Sequence, residues 1–320
     1  MRRRTIITSL PLLATATMQQ ASASNFEKFV GTLHRRARQD GIPSRIADAA
    51  LTDITPNQAV IKLDQHQPEF TLTWKQYRAL TVTPVRIANG RQELEENADV
   101  IAAVTRRFGV QAAPIMGIWG IESNFGRIQG SFHVVDALVT LAWFDNSEYF
   151  TNEVIAAMRI AARGDAPLSM LRGSWAGAMG QPQFMPSVYL DTAIDFSGRG
   201  RPNIWTSIPD SLASIANYLH KAGWRAGFPS SEQVLLPDGF DDRVAGGNRF
   251  LSLRHWQALG VQRLPSAVPL PGGTKASLLL PDGSPGAAFL VYANFRVIRR
   301  YNASDLYALA VGDLGRSILG

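Results

Sequence analysis

One carboxylate ends a long apolar stretch of this sequence, Pro114-Ile-Met-Gly-Ile-Trp-Gly-Ile-Glu-Ser-Asn-Phe-Gly126. Glu122 has the i, i+3, i+4, i+7 spacing of one helical face with Ile115, Ile118 and Trp119. Proline suits a first helical turn and glycine suits a stop, so we predict a buried helix from Pro114 to Gly126. Burial disfavours a charged carboxylate, so we expect a raised pKa for Glu122, which suits a general acid. The alternative is a solvated glutamate at the end of a structural helix.

A second segment, Gly173-Ser-Trp-Ala-Gly-Ala-Met-Gly180, is rich in small residues. The bare backbone of glycine and alanine lets a bulky ligand approach the main chain. A tight helix-packing segment would have the same composition. The pattern therefore indicates either a binding surface or close packing, and Gln183-Phe-Met-Pro-Ser187 follows it directly.

These two segments resemble the membrane-bound lytic transglycosylase B family. Further blocks occur in the family's order, and they are Asp136–Leu141, Ala216–Tyr218, Gly223-Trp224 and Arg300–Asn302. The resemblance covers the chain from about Trp74 to about residue 310 and implies a mainly α (α+β) fold with a lysozyme-like helical catalytic core. It also implies cleavage of the β-1,4 bond between N-acetylmuramic acid and N-acetylglucosamine of peptidoglycan, leaving a 1,6-anhydro ring. Glycan strands are the expected partner.

The resemblance assigns roles to individual residues. Glu122 is the expected general acid and base, Ser174 the contact to the substrate N-acetyl group, and Gln183 the contact on the muramic acid side. The other predicted substrate-binding residues are the aromatic positions Tyr218 and Tyr301 and the groove walls Phe184 and Met185. Core packing is an equally good interpretation of Phe184 and Met185. Gln181-Pro182 stands where many relatives have tyrosine-glycine, so the local backbone could differ.

A single carboxylate suffices when the substrate supplies the attacking group. Glycoside hydrolases usually pair an acid with a second carboxylate. Asp136, Asp145, Glu148 and Glu153 follow Glu122 but lack a distinctive setting, and we expect Asp136 to cap a helix that begins at Ala137. In a lytic transglycosylase the C6 hydroxyl of muramic acid attacks C1. A hydrolytic muramidase, or an inactive scaffold that binds the cell wall, is the alternative function.

No metal or cofactor is predicted. The five histidines lack metal-ligand spacing, and Asp195 begins a degenerate copy of an EF-hand-like loop of the family. Ser197 fills position 3 of that loop, but Arg199 occupies position 5 and supplies no oxygen ligand. We expect no tight calcium binding. We further expect the Arg199 guanidinium to fold over the site and pair with Asp195 and with Asp210, or else to point into solvent.

The chain divides by pattern into five parts. Periodicity and composition, together with the resemblance, predict a signal peptide (1–23), an N-terminal helical lobe (24–90), the catalytic core (91–223), a small inserted β-containing lobe (224–295) and a C-terminal helix that returns to the core (296–320). Gln67–Trp74 resembles a family segment that lines the substrate groove. One helix is expected over Glu93–Phe108, another over Ser211–Lys221 and a last one over Ser304–Val311. Strands are expected at Val234–Leu236, Ser277–Leu280 and Ala288–Tyr292.

The N-terminus predicts export. Three arginines precede a short apolar segment and Ala21-Ser-Ala23, a signal-peptide pattern with cleavage expected near Ala23 by the Sec or the twin-arginine route. The formal charge of the whole chain is +6, and removing those three arginines leaves +3, which is compatible with an anionic polymer and gives no indication of nucleic acid. The sequence has no cysteine, so a lipid-modified cysteine cannot anchor it. We expect a periplasmic protein that is soluble and has no stable membrane anchor.

Overall fold

A computed structural model describes residues 12–65, 72–246 and 249–320, with side chains described from residue 24 onward. The helices of this part are α1 Leu12–Gln39, α2 Ser44–Leu51, α3 Gln58–Asp64, α4 Trp74–Thr81, α5 Pro84–Glu96, α6 Ala98–Phe108, α7 Ala112–Ser123, α8 Val134–Phe144, α9 Glu148–Ala162, α10 Pro186–Thr192, α11 Ile208–Lys221, α12 Leu253–Ala258, α13 Ala293–Tyr301 and α14 Asp305–Leu319. The strands are β1 Phe132–His133, β2 Arg172–Gly173, β3 Ser231–Leu235, β4 Leu251–Ser252, β5 Gln262–Arg263, β6 Lys275–Leu279 and β7 Ala288–Val291. The predicted fold class, mainly α with a small β lobe, is confirmed.

The described chain forms two compact units that alternate along the sequence. Of the described residues, the first unit comprises 12–65, 131–178 and 185–190, and the second comprises 72–130, 179–184, 191–246 and 249–320. In the first unit α8 and α9 pack together, and α1 and α2 both contact α9. Phe26 of α1 meets Trp143 of α8 edge to face, with 5.3 Å between the ring centroids. Apolar side chains that recur at helical spacing therefore build this unit.

In the second unit α7 packs along most of α14, and glycines set the distance between these two helices. A Cβ on Gly117 would lie 2.2 Å from the carbonyl oxygen of Val311, and one on Gly315 would lie 2.1 Å from that of Ala113. Both distances are far inside van der Waals contact, so the two backbones approach only because these positions lack side chains. Ile115, Ile118 and Trp119 are fully buried in the surrounding core.

A five-stranded antiparallel sheet also belongs to the second unit, with the strand order β4-β6-β7-β3-β5. Leu278 of β6 pairs with Leu290 of β7, and both side chains are fully buried. Trp256 of α12 covers this part of the sheet and donates its indole N–H to the carbonyl of Ala276 at 2.9 Å. The sheet thus has its own small core.

Several predicted element boundaries are wrong. The expected helix over Glu93–Phe108 is two helices, because Asn97 separates them and its side-chain amide donates to the carbonyl of Glu93 at 2.9 Å. The helix of Glu122 begins at Ala112 and ends at Ser123, so it starts before Pro114 and stops before Gly126. Asp136 lies inside the first turn of α8 and does not cap it, since α8 begins at Val134.

The β lobe and the C-terminus contain more structure than predicted. The three expected strands correspond to β3, β6 and β7, while β4, β5 and the helix α13 were not predicted. The last helix, expected over Ser304–Val311, begins one residue later at Asp305 and continues to Leu319. Ser304 caps it by accepting a hydrogen bond from the Tyr307 N–H at 3.3 Å.

Two predictions fall partly outside the described residues. These are the signal peptide, of which residues 1–11 are not described, and the groove-lining segment at Gln67–Trp74, of which only residues from 72 onward are described. The backbone of residues 12–23 forms the first turns of α1. The five predicted parts of the chain stay a prediction. Among the described helices, none has both the length and the apolar character needed to cross a bilayer.

Candidate active site

Glu122 lies in the last turn of α7, immediately before a sharp change in chain direction. Asn124, Phe125 and Gly126 have φ values of 48°, 60° and 80°, all in the left-handed region. The Ser123 hydroxyl accepts a hydrogen bond from the Gly126 N–H at 3.0 Å, and the Ser123 carbonyl accepts one from the Ile128 N–H at 2.8 Å. Three successive left-handed residues are unfavourable unless the surroundings hold them, and such backbone often occurs at functional sites. These bonds fix the helix end that positions Glu122.

Tyr307 of α14 donates a hydrogen bond to the Glu122 carboxylate, with 2.5 Å between its hydroxyl oxygen and Oε1. Burial raises the pKa of the Tyr307 hydroxyl well above its ordinary value, and the nearby Glu122 charge and the hydrogen bond raise it further. Tyr307 is therefore a neutral donor at every working pH. A donor of this kind stabilises the charged form of its carboxylate partner and holds it in one orientation.

A hairpin turn is attached to α7 through Gln181. Met179 and Phe184 exchange two backbone hydrogen bonds of 2.8 and 3.0 Å, which closes the turn. The Trp119 indole N–H donates to Gln181 Oε1 at 2.8 Å, and a Cβ on Gly126 would lie 2.7 Å from that same oxygen. The glycine at 126 therefore allows the buried glutamine to reach Trp119. This is how the chain accommodates Gln181-Pro182.

Three of the predicted aromatic residues form one cluster in the second unit. The ring centroids of Tyr218 and Tyr301 are 4.7 Å apart, and those of Phe184 and Tyr301 are 5.7 Å apart. The hydroxyl of Tyr218 donates to the Arg300 carbonyl and that of Tyr301 to the Pro182 carbonyl, each at 2.5 Å. Burial raises the pKa of Tyr301 well above its ordinary value, and the charges of Glu122 and Tyr218 raise it further. Phe184 is only 2% exposed, which favours a packing role for it over contact with a ligand.

Gln183 ends the hairpin turn in a left-handed conformation, with φ 52°. Its side-chain amide donates to the carbonyls of Gly180 and Gln129, at 2.7 and 3.1 Å. These two bonds hold the side chain in place and direct its donor group toward the protein. The side-chain carbonyl oxygen of this half-buried amide is therefore the group that can accept a hydrogen bond from a ligand.

Ser174 and Met185 belong to the first unit. The Ser174 hydroxyl accepts a hydrogen bond from the Ala178 N–H at 3.1 Å inside a tight turn. Gly177 has φ 87° in this turn, and a Cβ there would lie 2.3 Å from a methyl group of Leu138. The small residues of this segment therefore permit close packing, as one of the two interpretations anticipated, and Ser174 and Met185 are both half-buried.

The degenerate calcium loop is held by two carboxylates that bind its own backbone. Asp195 accepts from the Arg199 and Gly200 N–H groups at 3.0 and 2.6 Å, and buried Asp210 accepts from the N–H groups of Phe196, Ser197 and Asn203 at 2.8 to 3.0 Å. Burial acts to raise the pKa of Asp195. The hydrogen bonds that Asp195 accepts from Arg199, Gly200 and Ser197 outweigh burial, so the pKa is lowered. In the described chain, His, Asp and Glu residues form no group of three that could hold a metal ion.

The predicted pairing of Arg199 is wrong. The side chain is exposed, and within the described residues its guanidinium forms an ion pair with neither Asp195 nor Asp210. The physical reason is that backbone N–H groups of the loop already occupy the oxygens of both acids. The alternative, a guanidinium directed into solvent, describes this position.

Comparison with known proteins identifies the family. The sequence model of the transglycosylase SLT domain matches residues 25–316. The chain belongs to the transglycosylase SLT domain family. It is 35% identical to the membrane-bound lytic murein transglycosylase B of Escherichia coli (strain K12) over 254 residues, which cover 77% of this chain and 67% of that protein. The predicted family and the predicted enzyme class are thereby confirmed.

Solved structures of this transglycosylase family have the same fold. SltB3 from Pseudomonas aeruginosa, in complex with NAG-anhNAM-pentapeptide, is 42% identical with a TM-score of 0.87, and the match covers 92% of this chain and 80% of that one. The lytic transglycosylase Slt35 of Escherichia coli, in complex with calcium, is 31% identical with a TM-score of 0.76 and 92% coverage of both chains. The calcium in that structure is a property of Slt35.

Sequence reasoning missed Tyr307, which donates to Glu122, and Gln181, which accepts from Trp119 on the same helix as Glu122. Tyr307 lies within the predicted last helix, four residues before the buried Val311. This spacing places both side chains on one helical face, and it was the pattern from which the burial of Tyr307 could have been predicted. A tyrosine on a buried apolar face needs a partner for its hydroxyl. Gln181 was noted only as a departure from the family, and its burial beside Trp119 depends on the folded hairpin.

Proposed function

We propose that this transglycosylase cleaves the β-1,4 bond between N-acetylmuramic acid and N-acetylglucosamine of peptidoglycan, with Glu122 as the single general acid and base. The observation that carries the proposal is the Glu122 carboxylate at the end of a buried helix, oriented by the neutral donor Tyr307. The names of the relatives support the substrate class. Ser174, Gln183, Tyr218, Tyr301 and Met185 are proposed to contact the glycan, with Phe184 packing behind the two tyrosines.

The reaction needs only one protein carboxyl group. Glu122 donates its proton to the glycosidic oxygen as the bond from that oxygen to C1 breaks. The C6 hydroxyl oxygen of the same muramic acid bonds to C1, and its proton passes to the Glu122 carboxylate. The acid is thereby restored, and a 1,6-anhydro end and a free sugar hydroxyl are formed. No water is consumed, so a second carboxylate to activate water is unnecessary.

The site of action is proposed to be the periplasm, after removal of residues 1–23. The basic start, the short apolar segment and Ala21-Ser-Ala23 support export. N-terminal sequencing of the protein from a periplasmic fraction tests this. A mature N-terminus near residue 24 is expected, whereas an uncleaved protein in the cytoplasm would contradict export.

Mass spectrometry of purified sacculi after digestion tests the reaction. Anhydro ends, which are lighter by one water than hydrolysed ends, are expected from the wild-type protein and none from Glu122→Gln. Reducing ends in place of anhydro ends would favour the hydrolytic muramidase. An absence of turnover together with retained binding would favour the inactive scaffold.

A further inference from the structure

A basic cavity lies in the second unit, at the C-terminal end of α11 and beside α13. It encloses about 680 Å³, and its charged lining residues are Lys221, Arg225, Lys275, Arg296 and Arg300. Phe228, Phe250 and Val297 supply apolar wall, and no acidic residue lines the cavity in the described part of the chain. Five cations around one concave surface concentrate positive potential there. We call this feature the basic cavity.

Within the described residues, three of these cations have no acidic partner. Lys221 pairs with Asp191, and Arg300 donates to the Ala222 carbonyl at 2.8 Å. For Arg225, Lys275 and Arg296, no carboxylate of the described residues lies within ion-pair distance. The neighbouring Asp305 does not neutralise them, because it pairs with Arg299 at 2.8 Å. The cavity therefore presents three uncompensated positive charges to a ligand.

The walls that carry these charges are held in place. Asn294, which is fully buried, accepts a hydrogen bond from the Arg225 N–H at 2.8 Å and donates to the carbonyls of Arg225 and Phe228 at 2.8 and 2.7 Å. The Arg296 guanidinium lies over the Phe250 ring, 4.1 Å from its centroid. A cation stacked on an aromatic ring keeps its position and its N–H donors. The Arg296 guanidinium and the backbone that carries Arg225 are thus in place before a ligand arrives.

The basic cavity adjoins the aromatic cluster along the same two helices. Arg300 precedes Tyr301 on α13, and Lys221 follows Tyr218 by three residues on α11. The Tyr218 hydroxyl donates to the carbonyl of Arg300, which joins the two features directly. The cavity therefore lies next to the aromatic cluster, with Arg300 as their shared neighbour.

We propose that the basic cavity binds the carboxylates of a peptide attached to the glycan strand. This inference rests on the proposed function, because it takes peptidoglycan as the substrate. The sugars of the strand offer no negative charge once muramic acid is substituted, whereas its stem peptides carry free carboxylates. Arginine pairs with carboxylates in a two-bond geometry, and the apolar walls suit the aliphatic parts of a peptide. A cavity of this volume suits a ligand of a few residues.

Calorimetry with a synthetic peptide tests the proposal without any cleavage step. The probe is N-acetyl-L-Ala-γ-D-Glu-meso-diaminopimelic acid, compared with the same peptide after amidation of its carboxyl groups. The wild-type protein should bind the acidic peptide, more weakly as salt rises, and the amidated one at least about tenfold more weakly. The triple variant Arg225→Gln, Lys275→Gln, Arg296→Gln should lose binding of the acidic peptide by at least about tenfold.

A matched control removes the same number of charges elsewhere. Arg45, Arg106 and Arg254 are exposed and have no carboxylate partner in the described chain, so their triple replacement by glutamine should leave peptide affinity unchanged. The triple variant could lose binding by misfolding. The single variant Arg296→Gln, which should keep the melting temperature of the wild type, tests the loss of charge without that risk. Equal affinity for the amidated peptide, or full affinity in the triple variant, would overturn the proposal.

Two further outcomes separate this inference from other possibilities. If the protein produces anhydro ends but does not bind the acidic peptide, the cavity proposal fails and the proposed function stands. If vesicles of phosphatidylglycerol bind in a way that the triple variant abolishes, while the peptide does not bind, the cavity serves a membrane surface and the peptide assignment is wrong.

Discussion

Glu122 and its hydrogen-bond donor Tyr307 are 185 positions apart in the chain. The carboxylate is half-buried at the end of one helix, and the hydroxyl that holds it comes from the fully buried face of another. Because Tyr307 stays neutral, it orients the acid without adding charge beside it. The same carboxylate can then give a proton and take one back within a single geometry.

Replacing Glu122 by glutamine should abolish cleavage while keeping the fold. An amide has the same shape but cannot deliver a proton, and loss of general acid catalysis costs about 10²–10⁴-fold in rate. Release of soluble fragments from sacculi measures the rate, and co-sedimentation with sacculi measures binding. Activity within tenfold of the wild type would contradict the role of Glu122.

Replacing Tyr307 by phenylalanine should shift the pH dependence of cleavage. Tyr307 remains a donor because burial raises its pKa, and its hydrogen bond favours the charged carboxylate. Removing that bond makes the carboxylate easier to protonate. Since the general acid is active when protonated, the high-pH limb of the kcat/KM profile should move to higher pH, while the maximum rate falls. A profile that keeps its limb would show that Tyr307 only packs.

At the scale of elements, the glycines between α7 and α14 set the distance between acid and donor. Gly117→Ala places a methyl group against the Val311 carbonyl and should destabilise the protein by about 1–3 kcal/mol or more. Chemical denaturation measures this. Gly31→Ala in α1 is the matched control, since a Cβ there meets only an arginine tip at 3.9 Å, and it should stabilise by about 0.5–1 kcal/mol. Equal effects of the two substitutions would refute the close-approach argument.

The loop at Asp195 gives a prediction about ions and about pH. Calcium at micromolar concentration should not raise the melting temperature, because Arg199 replaces an oxygen ligand. The pKa of Asp195 is lowered, so its contribution to stability is complete above the pKa of the unfolded chain, about 3.9, and is lost as pH falls through the folded-state value. The free energy of unfolding of Asp195→Asn should therefore be lower than that of the wild type at pH 7, and the two values should converge in acid. A calcium-dependent rise of several degrees would refute the first part.

The sequence predicted the elements that depend on local pattern and missed those that depend on distant contacts. The helix of Glu122 followed from apolar spacing, and the aromatic cluster from a resemblance that matched Tyr218 and Tyr301. Asn97 divides a predicted helix, because its side-chain amide donates a hydrogen bond to the backbone carbonyl of Glu93. Hydrophobic periodicity does not reveal such a bond. Tyr307 could not be assigned because its partner lies on another helix. For Arg199 the sequence left open both pairing and exposure to solvent, because it does not show that backbone donors already occupy the carboxylates.

At the scale of the whole molecule, the remaining carboxylates should support structure and leave the chemistry unchanged. Glu153 is only 3% exposed and accepts hydrogen bonds from the Ser187 N–H and hydroxyl, at 2.9 and 2.5 Å. Glu153→Gln should lower the melting temperature while the activity per folded molecule is largely retained. Single amide replacements of Asp136, Asp145 and Glu148 should also retain activity. A loss as deep as that of Glu122→Gln at any of these positions would favour the hydrolase.

The pairing of α7 with α14 also determines when the hydrogen-bonded pair of Glu122 and Tyr307 is complete. Ribosomal synthesis delivers Glu122 long before Tyr307, which lies 185 positions later on α14. Until that helix has emerged and docked, the carboxylate has no phenol beside it and Gly117 has no backbone to approach. An enzyme that cuts the cell wall is hazardous to the cell that makes it. Because the donor follows the acid by 185 positions, the assembled site has to wait until the chain between them has been made and folded.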